Sequence, residues 1–365
     1  MPFIPSLPLR VSQFGLTAAR CYGAAMDVGL ASLGDLLPDP ATGVWPTDAL
    51  RHRSIVEQAV LAESVGFDAV HLGEHHGSGY QLSAPPVVLA AIGERTKALT
   101  LSTGVTLVAN LDPVRVAEDY ATLDVLSGGR AEIVAGRGSL YARTFEFLGQ
   151  DAKQSRALYI EHVELLLELL REENVCHQGR LRASLDGFTS RPRPTKPVTM
   201  WLGGGLNHET PLMAARLGLP LMLPSVFAPP ETFAPLVEAY TEAYRQAGHA
   251  DPPRIGAIAH CHVGATTRAA RANFQPYYTQ YWNWVQELIV AYTPQARTLP
   301  FDYDAMLAGP AVCGSSAEVV DRVGQWKAIL GLDRFAFMFD LGGIPEPRLR
   351  ATIERFGADV LPHIR

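Results

Sequence analysis

From Met26 onward the chain alternates short runs rich in Val, Ile and Leu with longer stretches of helical period, and this alternation limits the fold more than any other feature. The apolar runs are 26–33, 67–72, 99–108, 131–135, 198–202, 219–223, 254–263 and 334–339. Helical segments between them carry recognisable ends. Thr47 precedes a helix over 48–65 that stops at Gly66, Pro85-Pro86 opens a second, and Asp112-Pro113 opens a third that ends at Ser127-Gly-Gly129. Further helices are expected over 155–173, 210–217, 231–247 and 346–360, and the capping box Ser315-x-x-Glu318 opens one more. Eight strand–helix units in strict order predict an α/β chain closed as a (β/α)8 TIM barrel. A doubly wound open sheet is the competing arrangement, and it rarely runs to eight uninterrupted repeats.

The 365 residues would allow two ordinary domains, but one barrel of about 250 residues with additions accounts for the order of elements better. A single domain over 26–365 is expected, with a helical insertion at about 266–310 between strand seven and helix seven. Residues 1–25 contain Arg10 and Arg20 but no acidic residue and no apolar stretch of secretory length. Translation is expected to start at Met26, leaving 1–25 as a leader outside the fold; a transit peptide is the less favoured reading.

Composition removes several functions. With 47% apolar residues and a net charge of −6, the chain is neither disordered nor furnished with a basic footprint for nucleic acid. No apolar run reaches the ~18 residues of a membrane span. Cys21, Cys176, Cys261 and Cys313 lack the spacing of a zinc site or disulfide framework, so a reducing cytoplasm is expected.

In such barrels chemistry lies just beyond the C-terminal ends of the strands. After strand two stands His71-Leu-Gly-Glu74-His75-His76, which also spells the inverted zinc-protease motif. A zinc reading needs a helix to bring His71 and His75 onto one face; here Gly73 and the preceding β-run place Glu74, His75 and His76 at a strand tip, and no metal is expected. His75 is the best general base or hydrogen-bond donor of the three. The bland alternative is a set of polar residues satisfied within the core. After strand four, Gly136-Arg137-Gly138-Ser139 offers close backbone approach and a cationic fork. After strand five, Gly203-Gly204-Gly205 leads to a helix start with His208 and Thr210, the composition of an anion cradle or of a plain turn. No Rossmann fingerprint or P-loop follows any strand.

Taken together, Gly66-Phe-Asp68, Gly73-Glu-His-His76, Asp112-Pro-Val-Arg115, Leu123-Asp-Val-Leu-Ser-Gly-Gly-Arg130, Gly136-Arg-Gly138 and Gly203-Gly-Gly205 resemble the bacterial luciferase-like, flavin-dependent oxidoreductases. The resemblance is strong over about 26–262 and weak beyond. It implies a monooxygenase using reduced FMN and O2 through a C4a-peroxyflavin to oxygenate a small, partly apolar organic substrate. His75 would be the active-site histidine, with Glu74 and His76 beside it, and Gly104–Val105 the non-prolyl cis peptide against the flavin ring. Arg137, Gly138 and Ser139 would meet the phosphate or ribityl chain, and Gly204, Gly205 and Thr210 would form the phosphate cradle. The loop Leu206–Glu209 is one residue longer than the usual pattern, which leaves the roles of Asn207, His208 and Thr210 open. A separate NAD(P)H:flavin reductase would supply FMN, and a homodimer is expected. An F420-dependent dehydrogenase and a non-catalytic flavin-binding protein are the alternatives.

Residues 266–310 hold Trp282 and Trp284 and five of the 12 tyrosines, with Tyr281, Trp284, Leu288 and Tyr292 at helical spacing. They are expected to form either a rim or dimer helix, or a lid whose aromatic stripe walls the substrate pocket.

Overall fold

The computed structural model describes residues 25–138, 140–293 and 301–365; the expected leader therefore lies outside the described residues. The described residues form twelve strands: β1 (Asp27–Ser32), β2 (Ala69–Leu72), β3 (Thr100–Thr103), β4 (Thr106–Leu107), β5 (Glu132–Gly136), β6 (Val175–His177), β7 (Leu185–Phe188), β8 (Thr199–Gly203), β9 (Leu221–Leu223), β10 (Ile255–Gly264), β11 (Val312–Ser315) and β12 (Arg334–Met338). Nine of them pair in parallel in the order β3-β2-β1-β12-β10-β9-β8-β5-β4. A parallel bridge from Leu101 in β3 to Ala131 before β5 brings the two ends of this path together, so the sheet curls into a nearly closed barrel with helices outside.

The helices begin where their end residues require. Thr47 accepts the Leu50 amide at 3.2 Å and Asp112 accepts that of Val114 at 2.9 Å, each satisfying an amide that the first turn leaves unpaired. Gly128 ends the helix Pro113–Ser127 at φ +69°, a conformation that glycine adopts without a Cβ penalty.

Inside the barrel the side chains form layers. At the N-terminal ends of the strands, Arg334 of β12 pairs with Glu132 of β5 and lies 4.8 Å over the Trp201 ring, while the Ser102 hydroxyl donates to Glu132 at 2.8 Å. Both members of this pair are buried, so each depends on the other for its solvation. Above it Val134, Trp201 and Met222 pack with Val105 and Ile258 as an apolar floor.

Three features differ from the sequence expectation. The third strand is not one run over 99–108 but two short strands separated at Gly104–Val105, whose peptide bond is cis. The segment 174–197 carries an antiparallel hairpin, β6–β7, off the barrel. Between β10 and the helix Ser316–Leu330 lie the helix Thr267–Tyr292, the short helix Tyr303–Ala308 and β11, which pairs with the outer half of β10. The capping box at Ser315 is also modified: Ser315 accepts the Glu318 amide, but the Glu318 carboxylate receives Thr267 Oγ1 at 2.6 Å and Arg271 at 2.5 Å instead of returning to Ser315. Helix start and insertion are thereby tied together.

Candidate active site

A cavity of about 1300 Å3 opens at the C-terminal ends of the strands. That exceeds the usual 300–1,000 Å3 of a single small-molecule pocket and leaves room for a large cofactor together with a second molecule.

His75 stands on its wall, just past β2. The ring stacks on Tyr80 with centroids 4.0 Å apart and meets the edge of Tyr141 at 5.5 Å. Its Nδ1 is buried without a hydrogen-bond partner among the described residues. Burial pulls the imidazole down to about pKa 4, so the ring is neutral at physiological pH and can exchange hydrogen bonds or accept a proton. Glu74 is buried, and its two oxygens are both engaged: one accepts the Leu107 amide at 2.9 Å and the other meets His76 Nε2 at 2.6 Å. The Glu74 amide in turn donates to the Val105 carbonyl at 3.0 Å. Glu74 therefore clamps the β2 loop to the segment after the cis bond. His76 points to Glu74 and is not among the residues that line the cavity. His71, the last residue but one of β2, is fully buried and bonded through Nδ1 to the Thr103 carbonyl at 3.2 Å; it does not converge with His75.

The glycines of the next two strand ends have a different reason from close ligand approach. A Cβ on Gly136 would overlap Val105 Cγ2, and one on Gly203 would lie 2.7 Å from Val105 Cγ1. The Val105 side chain fills the space that the two glycines leave, which holds the backbone of Gly104 and Val105 at the cavity wall. Gly205 behaves otherwise: a Cβ there meets no atom within 4 Å, so its backbone borders open space. Gly204, Gly205 and Thr210 line the cavity beside the start of the helix Glu209–Leu217. Asn207 Oδ1 accepts the Glu209 amide at 3.1 Å and is itself on the wall, whereas His208 is not. Arg137 and Gly138 face this end from β5; Ser139 lies outside the described residues. Arg156, which the motif reading missed, adds a second cation and pairs with Glu209 at 3.1 Å.

The half of the cavity under β9, β10 and β12 is apolar, with Phe227, Trp282, Val285, Ile289, Phe301 and Met306 on its wall. The aromatic stripe of the helix Thr267–Tyr292 is rotated from the expected one. Tyr281, Trp282, Val285 and Ile289 face the cavity, whereas Trp284 packs on Gly79 and on Tyr80, 4.6 Å from its ring, and Tyr292 meets Tyr141 and Phe147. The second set braces the loops that carry His75 and Arg137. His260 in β10 also lines the cavity and was absent from the motif reading.

A glycine opening, a helix start and the arginines Arg137, Arg156 and Arg216 on the wall, with a buried neutral imidazole and a backbone segment further in, fit a phosphate-bearing planar cofactor. Among the described residues no group of His, Cys, Asp and Glu could hold a metal ion, and no helix is long and apolar enough to cross a membrane.

Comparison with known proteins agrees with this geometry. The sequence model of luciferase-like monooxygenases matches residues 26–333. The uncharacterized protein y4wF of Sinorhizobium fredii is 37% identical over 131 residues, and the match covers 35% of this chain and 38% of that one. The oxygenase component of the flavin-dependent trigonelline monooxygenase of Acinetobacter baylyi is 24% identical, over 84% of this chain and 88% of its own. The alkanal monooxygenase alpha chain of Photorhabdus laumondii is 31% identical over 57% of each chain. Among solved structures, the monooxygenase RslO1 of Streptomyces bottropensis superposes with a TM-score of 0.81 at 24% identity, covering 93% of this chain and all of that one. The FMN-bound oxygenating constituent of 3,6-diketocamphane monooxygenase from Pseudomonas putida gives 0.74 at 18% identity, covering 94% and 99%. An F420-dependent secondary alcohol dehydrogenase gives 0.71 at 18% identity, covering 94% and 100%, so this barrel shape is shared with enzymes of another cofactor. With a family model spanning most of its length and the strand-end geometry of such enzymes, the chain belongs to the luciferase-like monooxygenase family of oxidoreductases.

Proposed function

We propose that this chain is the oxygenase component of a two-component monooxygenase that receives reduced FMN from an NAD(P)H:flavin reductase and uses O2 to oxygenate a small, largely apolar organic substrate. The observation that carries the reading is the division of the 1300 Å3 cavity into an anion-binding end, a central wall made by His75 and the Gly104–Val105 backbone, and an aromatic end. The relatives named as flavin-dependent and FMN-bound monooxygenases support the same reading. Reduced FMN, when bound, would supply the electrons that activate O2.

The chain's own residues do the rest. Arg137, Arg156, Gly205 and the start of the helix Glu209–Leu217 would hold the phosphate, and the Gly104–Val105 backbone and Val105 would support the ring. His75, neutral and on the cavity wall, would accept or pass a proton at the centre, held in orientation by Tyr80. Glu74 acts through the loop, since both its oxygens are engaged. The aromatic helix would exclude bulk water from the reacting atoms.

Anaerobic absorbance titration with reduced FMN, and in parallel with F420, tests the assignment: saturable binding of reduced FMN with O2 consumption in the presence of a flavin reductase is expected. Binding of F420 alone would move the protein to the dehydrogenase reading, and binding of neither would refute both. The variant His75→Ala should still bind FMN but release hydrogen peroxide in place of oxygenated product.

A further inference from the structure

The barrel wall divides unevenly between its two halves. The groups suited to a cofactor stand after β2, β4, β5 and β8, which are neighbours in the sheet apart from the closing seam. Across the cavity β10 contributes Ile258 and His260, and β12 contributes Met338, the register partner of His260. His260 is thus on the side away from the cations and the glycines, among Tyr281, Trp282 and Met338, with its ring edge-on to Tyr281 at 5.4 Å and to Trp282 at 5.7 Å.

The residue is 1% exposed, and its two nitrogens differ. Nδ1 lies 3.0 Å from the Tyr278 hydroxyl, while Nε2 is buried with no partner among the described residues. A buried polar atom without a partner costs on the order of 1–3 kcal/mol, and such atoms in a cavity wall are reserved for a ligand or a water. Burial holds the imidazole down to about pKa 3, so it carries one proton at neutral pH, and the tautomer decides what Nε2 offers. Tyr278 decides it. Its phenol is fully buried and burial raises its pKa well beyond the ordinary range, so the hydroxyl keeps its hydrogen. When the phenol donates that hydrogen to Nδ1, the ring's own hydrogen stands on Nε2.

We propose that His260 is a specificity-determining residue: its neutral Nε2–H is presented to the apolar end of the cavity to bind the oxygen of a largely apolar carbonyl compound, a ketone or aldehyde, and so sets how that substrate lies. The proposal rests on the monooxygenase reading for what happens to the substrate, but not for its binding. Of the other polar groups on this side, the Ser225 hydroxyl is spent on the Ile258 carbonyl, Asp302 accepts the Ala305 amide, and Gln286 stands on the wall beside Val285; on a largely apolar wall the His260 donor favours a molecule with an acceptor oxygen, because a hydrocarbon leaves the donor unpaired and a polyol leaves its own hydroxyls unpaired.

Two measurements on flavin-free protein test it. With 15N-labelled histidine, long-range 1H–15N correlation spectra should show one imidazole that stays in the Nε2–H form from pH 5.5 to 8 and that disappears in His260→Phe or His260→Gln. An Nδ1–H form, or titration within that range, overturns the proposal. Second, 2-acetonaphthalene and its hydrocarbon counterpart 2-isopropenylnaphthalene are titrated against tryptophan fluorescence. The unaltered protein should bind the ketone about fivefold more tightly, the span of one neutral hydrogen bond; His260→Gln should keep part of the preference and His260→Phe none. Equal affinities, or saturable binding of neither compound, overturns it. Near-ultraviolet circular dichroism checks that each variant is folded, and the spectral arm on unaltered protein stands without them. Since no flavin is present, failure to bind reduced FMN would end the monooxygenase reading and leave these results intact.

Discussion

Val105 is placed by two residues it never neighbours in sequence, Gly136 and Gly203, which leave room for its two methyl groups. Gly136→Ala should therefore overpack the site and lower stability by about 1–3 kcal/mol, and Val105→Ala should relieve most of that loss when the two are combined; denaturant unfolding of the two single variants and the double variant measures the coupling, and simple additivity would show that the contact is unimportant. A second residue-scale prediction concerns the buried charges outside the cavity. Arg51 Nη2 lies 2.7 Å from Asp340 and 3.5 Å from Asp35, and Ser32 also donates to Asp340 at 2.5 Å. The cation is thus spent chiefly on Asp340, and Asp35 is left with its burial, which pushes its carboxyl up to about 7. The sign follows directly: between about pH 4 and 7 folded Asp35 holds a proton that the unfolded chain has released, so stability falls as pH rises through that window. Asp35→Asn should abolish this slope and cost less than about 1 kcal/mol at pH 7, while Asp340→Asn, which deprives a buried arginine of its partner, should cost about 3–5 kcal/mol. Thermal unfolding across pH 4–8 separates the two; equal losses would mean that both carboxylates are ionised.

At the scale of elements, the helix Thr267–Tyr292 does two things with adjacent stripes. One stripe closes the aromatic end of the cavity, and the other, through Trp284 on Tyr80 and Tyr292 on the Gly77 carbonyl, steadies the loop that holds His75. Trp284→Ala should cost about 2 kcal/mol of stability, less than a fully buried tryptophan, because Trp284 is only half-buried. It should also raise hydrogen peroxide release per NADH consumed severalfold while changing FMN affinity less than twofold. Unchanged coupling would mean that the stripe only packs. Which side of this helix meets the cavity was not readable from spacing, since aromatic residues occupy 281, 282 and 284 and either stripe satisfies a helical period. Caps and stops were readable, because Thr47, Asp112 and Gly128 act through atoms within three residues of themselves. The break after Thr103 was not visible as a strand end, since it depends on contacts with β5 and β8. His260 escaped for a similar reason: β10 runs past the barrel rim to pair Cys261–Gly264 with β11, so the cavity is met in mid-strand and not after its end.

For the whole molecule, the eight-unit alternation was legible because barrel strands are buried on both faces and read as unbroken apolar runs, and the barrel then separates the two ends of the cavity by putting them on different strands. That separation predicts how cofactor binding divides. The end proposed to take the phosphate carries Arg137 and Arg156, and the Arg156–Glu209 pair at 3.1 Å is exposed enough to add little to folding. Arg156→Ala should leave the melting temperature of flavin-free protein within about 1 °C of the original. FMN at a hundred times its Kd stabilises any protein that binds it only when folded by about 2.7 kcal/mol, which for a chain of this size is a rise of about 4 °C. Riboflavin, which has the ring but no phosphate, should give a smaller rise that is insensitive to Arg156→Ala, whereas the additional rise due to the phosphate should shrink in the variant and in high salt. Differential scanning fluorimetry with FMN and riboflavin at matched concentrations reads both terms. If the variant weakens the two ligands equally, the arginine acts on the ring or on the fold, and the cradle must be assigned to Arg137, Arg216, the glycines and the helix start without it.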